Sequence, residues 1–351
     1  MSKKLLTDNI LYQISIIKRI FFFLFYCLSK KLFGVKYTNI YKNNKINQIT
    51  KFIQNKYPND YCIFSRDGIG DIFFIAGLIR EFKKGKEGRV IYFTDKLSCV
   101  PLIKAFKSID EVYYNRALGA FQEFKTLQKD LVKGQLNILF FPYKGTKPTY
   151  TFSDNYNNLL NLPLNTEREL PAISLENMEK AENEFKRFEV SKEKTILIIP
   201  DATMFDYRII DSKFWISLAK ELEARGFDIV FNTKLNKYKN FKNTFLPIMD
   251  FIAFSKQVKH VISFRSGIND LFAGVGITNM TVVYPPNLEV MWADADEVHK
   301  LHEHHTFTSG NELENIFNIH SLNRTFNSSN INEFLYNFND NEIIDTIIRN
   351  I

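Results

Sequence analysis

Between Val258 and Pro286 the chain spells out a complete β–α–β unit, VKHVISF-RSG-INDLFAGVGITN-MTVVYPP, and this stretch limits the fold more than any other. Lys259–Phe264 is a run of β-branched and aromatic residues, and Arg265-Ser266-Gly267 is a polar turn. Asn269–Val275 has helical patterning and Met280–Tyr284 is a second apolar strand. Strands joined through a helix lie parallel, because a crossover of that length is the connection parallel strands need. Ser266 can cap the helix and Gly267 lets a partner approach the backbone, so the first-turn N–H groups face whatever lies beyond the strand. Two readings fit: a diphosphate seated on those amides, or a capped helix in an α/β core with no ligand.

The same rhythm runs through the rest of the chain. Asp60–Ser65 reads as a strand, Arg66-Asp67-Gly68-Ile69-Gly70-Asp71 as a turn with two glycines, and Ile72–Phe82 as a helix apolar nearly all round. Strands at Arg89–Thr94, Glu111–Tyr114 and Leu136–Pro142 alternate with helices at Cys99–Phe106 and Phe121–Leu131. Lys144–Asn165 reads as loops over a cleft, and Leu175–Phe188 as a charged amphipathic helix. A second series follows: strand Lys194–Pro200, loop Asp201–Ile210, helix Ser212–Arg225 capped by Asp211 and ended by Gly226, strand Phe227–Asn232, and helix Phe251–Lys256. The tail from Ser329 reads as helical.

The expected fold is therefore α/β, with two Rossmann-like, doubly wound parallel-sheet domains facing a cleft. The division is an N-terminal extension over 1–58, domains over 59–172 and 173–325, and a helical tail over 326–351. The 351 residues, 45% of them apolar with 34 Phe, can fill two cores. Cys27, Cys62 and Cys99 are odd in number and lack metal-ligand spacing, which fits a reducing cytoplasm and neither a disulfide framework nor a zinc site.

The net charge of +7 is unevenly placed: residues 1–57 hold ten Lys and Arg19 against Asp8, or +10, leaving −3 for the remainder. Within this extension Lys18-Arg19 precede the run Ile20–Leu28 (IFFFLFYCL) and Lys30-Lys31 follow it. That run is far shorter than the roughly 20 residues a membrane-spanning helix needs, and no small-residue cleavage site follows it. Residues 1–35 can instead lie on an anionic membrane surface, or pack their aromatic face on the protein's own core. The first alternative places the protein in the cytoplasm, peripheral at the inner face of the membrane.

Over roughly Cys62–Pro286 the chain resembles the heptosyltransferase-like family of GT-B glycosyltransferases, whose enzymes add heptose from ADP-heptose to lipopolysaccharide. Asp67-Gly68-Ile69-Gly70-Asp71 before an apolar helix is similar to that family's first loop, where a Gly-Asp pair precedes a helix and the aspartate is the proposed base. Ile196–Pro200, Tyr207-Arg208 and Phe214 are similar to its central segment. Ile262–Leu271 (ISFRSGINDL) is similar to its D-T-G-x-x-H-L segment, which binds the nucleotide diphosphate. Four positions depart from the pattern: Arg265 stands for Asp, Asp270 for His, Tyr207 for Lys, and Asp201 for Gly.

The resemblance implies inverting, metal-independent transfer of a sugar from a nucleotide-diphosphate sugar to a glycan or lipid-linked acceptor, in lipopolysaccharide or capsular polysaccharide synthesis, without a further cofactor. Such a reaction needs a carboxylate to take the proton of the attacking hydroxyl, and Asp71 is placed for it, though Asp at that position also serves as a helix cap. It needs donors and cations for the leaving diphosphate. Ser266, Gly267, Ile268, Asn269 and Asp270, with Arg208 and Arg265, are the donor-binding candidates, and Gly68 and Gly70 line the first loop. Arg265 can equally form a structural ion pair.

A catalytically silent member that binds a nucleotide or glycan within an assembly complex is the alternative. A dinucleotide-dependent oxidoreductase is disfavoured by the missing glycine fingerprint and acidic partner. The group His299, Lys300, His302, Glu303, His304 and His305 reads as a solvated loop rather than a metal site, and Met291 and Trp292 as core or a cover for a base. No nucleic-acid recognition motif is present.

Overall fold

Runs of Ile, Val and Phe that are apolar at every position, not at alternate ones, mark strands covered on both faces, and in this chain they pair in parallel. The structure is a computed structural model and describes residues 51–53, 55–64, 68–115, 138–140, 152–201, 210–285, 321–336 and 339–351. The first series is β1 (Tyr61–Phe64), α1 (Ile69–Lys83), β2 (Val90–Thr94), α2 (Val100–Lys104), β3 (Glu111–Tyr114), β4 (Ile138–Phe140) and α3 (Phe152–Leu159). The amphipathic α4 (Leu175–Phe188) leads to the second: β5 (Thr195–Ile199), α5 (Ser212–Ala224), β6 (Asp228–Asn232), β7 (Lys242–Thr244), α6 (Ile248–Ser255), β8 (His260–Phe264), α7 (Gly267–Gly274) and β9 (Met280–Tyr284). The chain closes with α8 (Leu322–Phe326), β10 (Ile331–Leu335) and α9 (Asp340–Arg349).

Among the described residues the first sheet has four parallel strands in the order β3-β2-β1-β4. The second has six, all parallel, in the order β10-β9-β8-β5-β6-β7. Read from its β7 edge, the second sheet takes its strands in chain order third, second, first, fourth, fifth, sixth, the dinucleotide-fold arrangement. The chain therefore changes direction beside β1 in one sheet and between β5 and β8 in the other. At such points the loops leaving the strands diverge and open a crevice at the carboxyl ends.

Strand alternation divides the apolar side chains of the second sheet between two cores. Leu197, Ile199, Val261, Met280 and Val282 turn toward the first half and join Ile63, Phe73, Leu78 and Tyr92 in one continuous core. Ile196, Ile198, Ile262 and Val283 turn the other way, onto Phe214, Trp215 and Leu218 of α5 and Ile343, Ile344 and Ile347 of α9. Burying each such side chain is worth about 1.5–3 kcal/mol. The shared core is closed by helix pairs: Phe185 of α4 stacks on Phe254 of α6 with ring centroids 4.5 Å apart, and Asn177 donates to Asp250 at 2.7 Å.

Several sequence expectations need correction. The helix expected from Ile72 begins at Ile69, because Asp71 caps its own helix: the Gly68 N–H donates to Asp71 Oδ2 at 2.8 Å. Gly70 and Asp71 thus belong to the helix and not to the turn. Within Lys144–Asn165, read as loops, residues Phe152–Leu159 form α3. The tail from Ser329, which reads as one or two helices, has the helix α9 at Asp340–Arg349, but Ile331–Leu335 is a strand that pairs with β9 and extends the second sheet. Residues 1–50, the expected helix at Phe121–Leu131, and Met291, Trp292 and the histidine group lie outside the described residues.

His260 opens β8 and is buried, with Nε2 hydrogen-bonded to Thr281 Oγ1 at 2.8 Å. Burial, helped by the charge of Lys259, lowers its pKa to about 4. The folded protein thus refuses a proton that the unfolded chain takes near pH 6.5, so this contribution to stability is complete above that pH and is lost on acidification toward pH 4. In unfolding titrations, wild-type stability should fall by about 3 kcal/mol from this group over that window. His260→Gln should flatten the slope, and an unaltered slope would contradict the assignment.

Candidate active site where two helix N-termini meet

Each half sends a helix from the carboxyl end of a strand beside its switch point, α1 after β1 and α7 after β8. Both helices begin in glycine-containing turns, and their N-termini touch. A Cβ at Gly70 would lie 2.9 Å from Asp270 Oδ2 and 3.0 Å from the Gly267 Cα, and a Cβ at Gly267 would lie 2.7 Å from the Gly70 nitrogen. Farther along, a Cβ at Gly274 would lie 2.1 Å from Phe73 Cζ. Glycine at positions 70 and 267 lets two backbones pass where any side chain would hold them apart, and at 274 it leaves room for the Phe73 ring.

Asp71 stands in the first turn of α1 and is partly exposed. Its Oδ2 accepts from the Gly68 N–H at 2.8 Å, and its Oδ1 accepts from the Tyr156 hydroxyl of α3. Each carboxylate oxygen thus has a fixed donor, and the two bonds together set the carboxylate plane.

On the other side, Ser266 in extended conformation precedes α7. Its N–H donates to Asn269 Oδ1 at 2.7 Å, while Asn269 Nδ2 reaches Ser263 Oγ at 2.5 Å. Asn269 is fully buried and serves as the reciprocal cap of the helix start. The N–H groups of Gly267 and Ile268, in the first turn, have no acceptor within their own helix, as at any helix start. Ser266, Gly267 and Ile268 are the partly exposed residues of this corner.

Arg265 and Asp270 were read as donor-binding candidates. The structure turns them toward each other: Arg265 Nη1 and Nη2 donate to Asp270 Oδ2 and Oδ1, each at 2.8 Å, and Nη1 also reaches the Ser266 carbonyl at 2.6 Å. Their side chains are only 4% and 5% exposed, so the pair is almost fully desolvated. Burial alone would favour a neutral guanidinium, but the Asp270 charge outweighs it and holds Arg265 protonated above its ordinary range. Burial pushes the Asp270 carboxyl up, and Arg265 is the group that pulls it down. The guanidinium also lies 5.9 Å from the Tyr284 ring centroid. The Tyr284 hydroxyl donates to Glu333 of β10, which accepts as well from the Leu322 and Asn323 N–H groups at 2.8 and 3.1 Å and so caps α8.

Sequence reasoning missed Tyr156, which stands 85 positions from the carboxylate it meets. It noted Asp201 only as a replacement for glycine. In the structure Asp201 follows β5 beside the switch point, accepts from the Thr233 hydroxyl through Oδ2, and has Oδ1 buried with no partner among the described residues. Burial pushes its carboxyl up, so a protonated fraction that can donate to an acceptor persists to higher pH than for a free aspartate. Arg208 and Tyr207 lie outside the described residues. A separate hollow of about 640 Å³, lined by Lys192, Lys259, Asn279, Asn332 and others, opens at the amino ends of the second sheet, away from both switch points.

With this geometry in place, two solved structures provide comparison. The fold is similar to that of the E. coli ADP-heptose lps heptosyltransferase II, with a TM-score of 0.54 at 11% identity over 83% of this chain and 98% of that one. It is also similar to a glycosyl transferase family 9 protein from Veillonella parvula, with a TM-score of 0.52 at 11% identity over 77% of this chain and 96% of that one. No protein-family model and no curated protein matches the sequence. The fold is thus the two-sheet GT-B architecture of the heptosyltransferases. No helix among the described residues is long and apolar enough to cross a membrane.

Because Gly70 and Gly274 sit where a methyl group would clash, Gly70→Ala and Gly274→Ala should each lower unfolding free energy in urea by about 1–3 kcal/mol. Gly68→Ala, whose added Cβ would meet Asp71 Oδ2 at an ordinary 3.5 Å, should cost under about 1 kcal/mol. Equal losses at all three positions would contradict the close approach of the helices.

Proposed function

We propose that this protein is a glycosyltransferase that moves a sugar from a nucleotide-diphosphate sugar to a glycan acceptor of the cell surface, lipopolysaccharide or capsular polysaccharide. The observation that carries the proposal is the contact of the two helix N-termini: a half-exposed carboxylate begins one, and first-turn amides begin the other. Asp71 takes the proton of the acceptor hydroxyl as its oxygen bonds to the anomeric carbon. The bond from that carbon to the diphosphate breaks, and its electron pair stays with the departing oxygen. The growing negative charge is received by the Gly267 and Ile268 amides with the Ser266 hydroxyl and by the α7 dipole, which need no reorganisation during the reaction.

Arg208 supplies the cation, since Arg265 is occupied by Asp270 in a buried pair. Asn269 and Asp270 contribute by fixing the turn that presents the amides, Gly70 and Gly267 by letting the two helix starts meet, and Gly68 by donating its N–H to Asp71. The basic aromatic residues 1–35 would hold the enzyme at an anionic membrane surface, close to a lipid-linked acceptor.

The rival reading is a catalytically silent protein that binds the same ligand in an assembly complex. Two measurements separate them. Thermal shifts with ADP, GDP, UDP and CDP should single out one nucleotide, with a stabilisation of about 2.7 kcal/mol at a hundredfold excess over Kd. Asp71→Asn should keep that shift while release of nucleoside diphosphate from the matching donor falls by about 10²–10⁴. A wild-type protein that binds the nucleotide but releases none would favour the silent reading, and no shift with any of the four would count against both.

A further inference from the structure

The contact between α3 and α1 carries a role that the function above does not include. Tyr156 is 7% exposed, and its ring stacks on Phe74 of α1 with centroids 5.6 Å apart and planes 13° from parallel. Phe74 is itself stacked on Phe326 of α8, 5.8 Å away at 17°. The three rings make a column from the first half into the second, and Tyr156 ends it with its hydroxyl on Asp71 Oδ1. A buried tyrosine needs a partner for its O–H, and many use a backbone carbonyl. This one instead uses a side chain whose other oxygen is already held by the Gly68 N–H at 2.8 Å.

We propose that Tyr156 is a positioning residue for Asp71: clamped by the aromatic column, it fixes the carboxylate plane and keeps the group anionic for proton removal. The inference rests on the proposed role of Asp71 as base. Phe74 lies one helical turn beyond Asp71, so the same helix face presents both the acid and the ring that locks its partner. With Oδ2 held by the backbone and Oδ1 by a hydroxyl that cannot swing, the carboxylate plane is fixed, which alignment with an incoming hydroxyl requires. Hydrogen bonds to the charged form of an acid also favour that form.

Among the described residues, the charged groups near this turn include Asp270 and Arg168. Asp270 is answered by Arg265. Arg168 lies 5.3 Å from the Phe74 ring centroid and feels the charge of Asp154.

The test uses the full chain and Tyr156→Phe, which keeps the ring and removes the hydroxyl. Titration of ¹³C-labelled aspartate carboxyls, with Asp71 assigned through Asp71→Asn, should place the Asp71 midpoint about one pH unit higher in the variant. Unfolding curves will show that the variant is folded. With the matching donor and an acceptor, kcat should fall about tenfold to a hundredfold, KM for the donor should stay within about twofold, and the acid limb of the rate profile should move to higher pH. An Asp71 midpoint unchanged in a folded variant would overturn the inference, as would an unchanged kcat and acid limb.

These outcomes separate this inference from the function it rests on. If the midpoint moves but wild-type protein turns over no donor, the contact stands while the transferase assignment, and with it the positioning role, falls. If Tyr156→Phe distorts the fold, Phe326→Leu loosens the far end of the column without touching the hydroxyl. Under the inference it should reproduce the lowered kcat in weaker form, and kcat at the wild-type level would contradict the clamp.

Discussion

An ion pair stripped of nearly all its water holds this structure in register. Arg265 and Asp270 are five residues apart, one at the end of β8 and the other in the first turns of α7, and they close on each other through two parallel hydrogen bonds. Such a pair contributes little net stability, because desolvating two charges consumes most of what their attraction returns. It does fix geometry: a bidentate fork has one good arrangement, and every other leaves a buried charge unanswered. The turn Arg265-Ser266-Gly267 is therefore held at one angle to the strand before it. The amides of Gly267 and Ile268 are aimed by that constraint.

From this pair the contacts run in a ring through both halves. Asp270 sits against Gly70, so the acid that pairs with Arg265 also forms the wall where α1 begins. Asp71 follows and is held by Tyr156. Tyr156 stacks on Phe74, Phe74 on Phe326, and the helix bearing Phe326 is capped by Glu333. Glu333 accepts from Tyr284, whose ring lies beside Arg265. The base candidate and the diphosphate candidate thus share one set of constraints, although they belong to different sheets. Apolar packing supplies the stability of the molecule, and this polar ring determines where the candidate groups stand.

Much of the fold was legible in the sequence because it rests on local signals. KTILIIP and FDIVFN carry apolar residues at successive positions, ILII and IVF, and read as covered strands, and Asp211 caps the helix whose start it marks. The exceptions have physical causes. INEFLYNF carries apolar residues at spacings of three and four as well as two, and parallel pairing with β9, a tertiary effect, decides for strand. Phe152–Leu159 is polar by composition and becomes a helix through Tyr156 and Leu160 buried against α1. The strand order of the sheets and the Arg265–Asp270 pair depend on contacts that no periodicity encodes. A spacing of five is not a neighbour spacing on a regular helix, so nothing local marked Arg265 as spoken for. The candidate positions, Asp71 and the turn before α7, could be named from local signals and lie together in the structure, but which side chains face inward could not be read in advance.

The central claim is that the Arg265–Asp270 pair is buried and obligatory in the placement of α7. Urea unfolding of Asp270→Ala, Arg265→Met and the combined apolar replacement Arg265→Met/Asp270→Leu tests it. Asp270→Ala, which strands the guanidinium, should cost about 3–5 kcal/mol, while the combined apolar replacement should recover most of that loss. A cost below about 1 kcal/mol for Asp270→Ala, the size expected of a solvated surface pair, would contradict it.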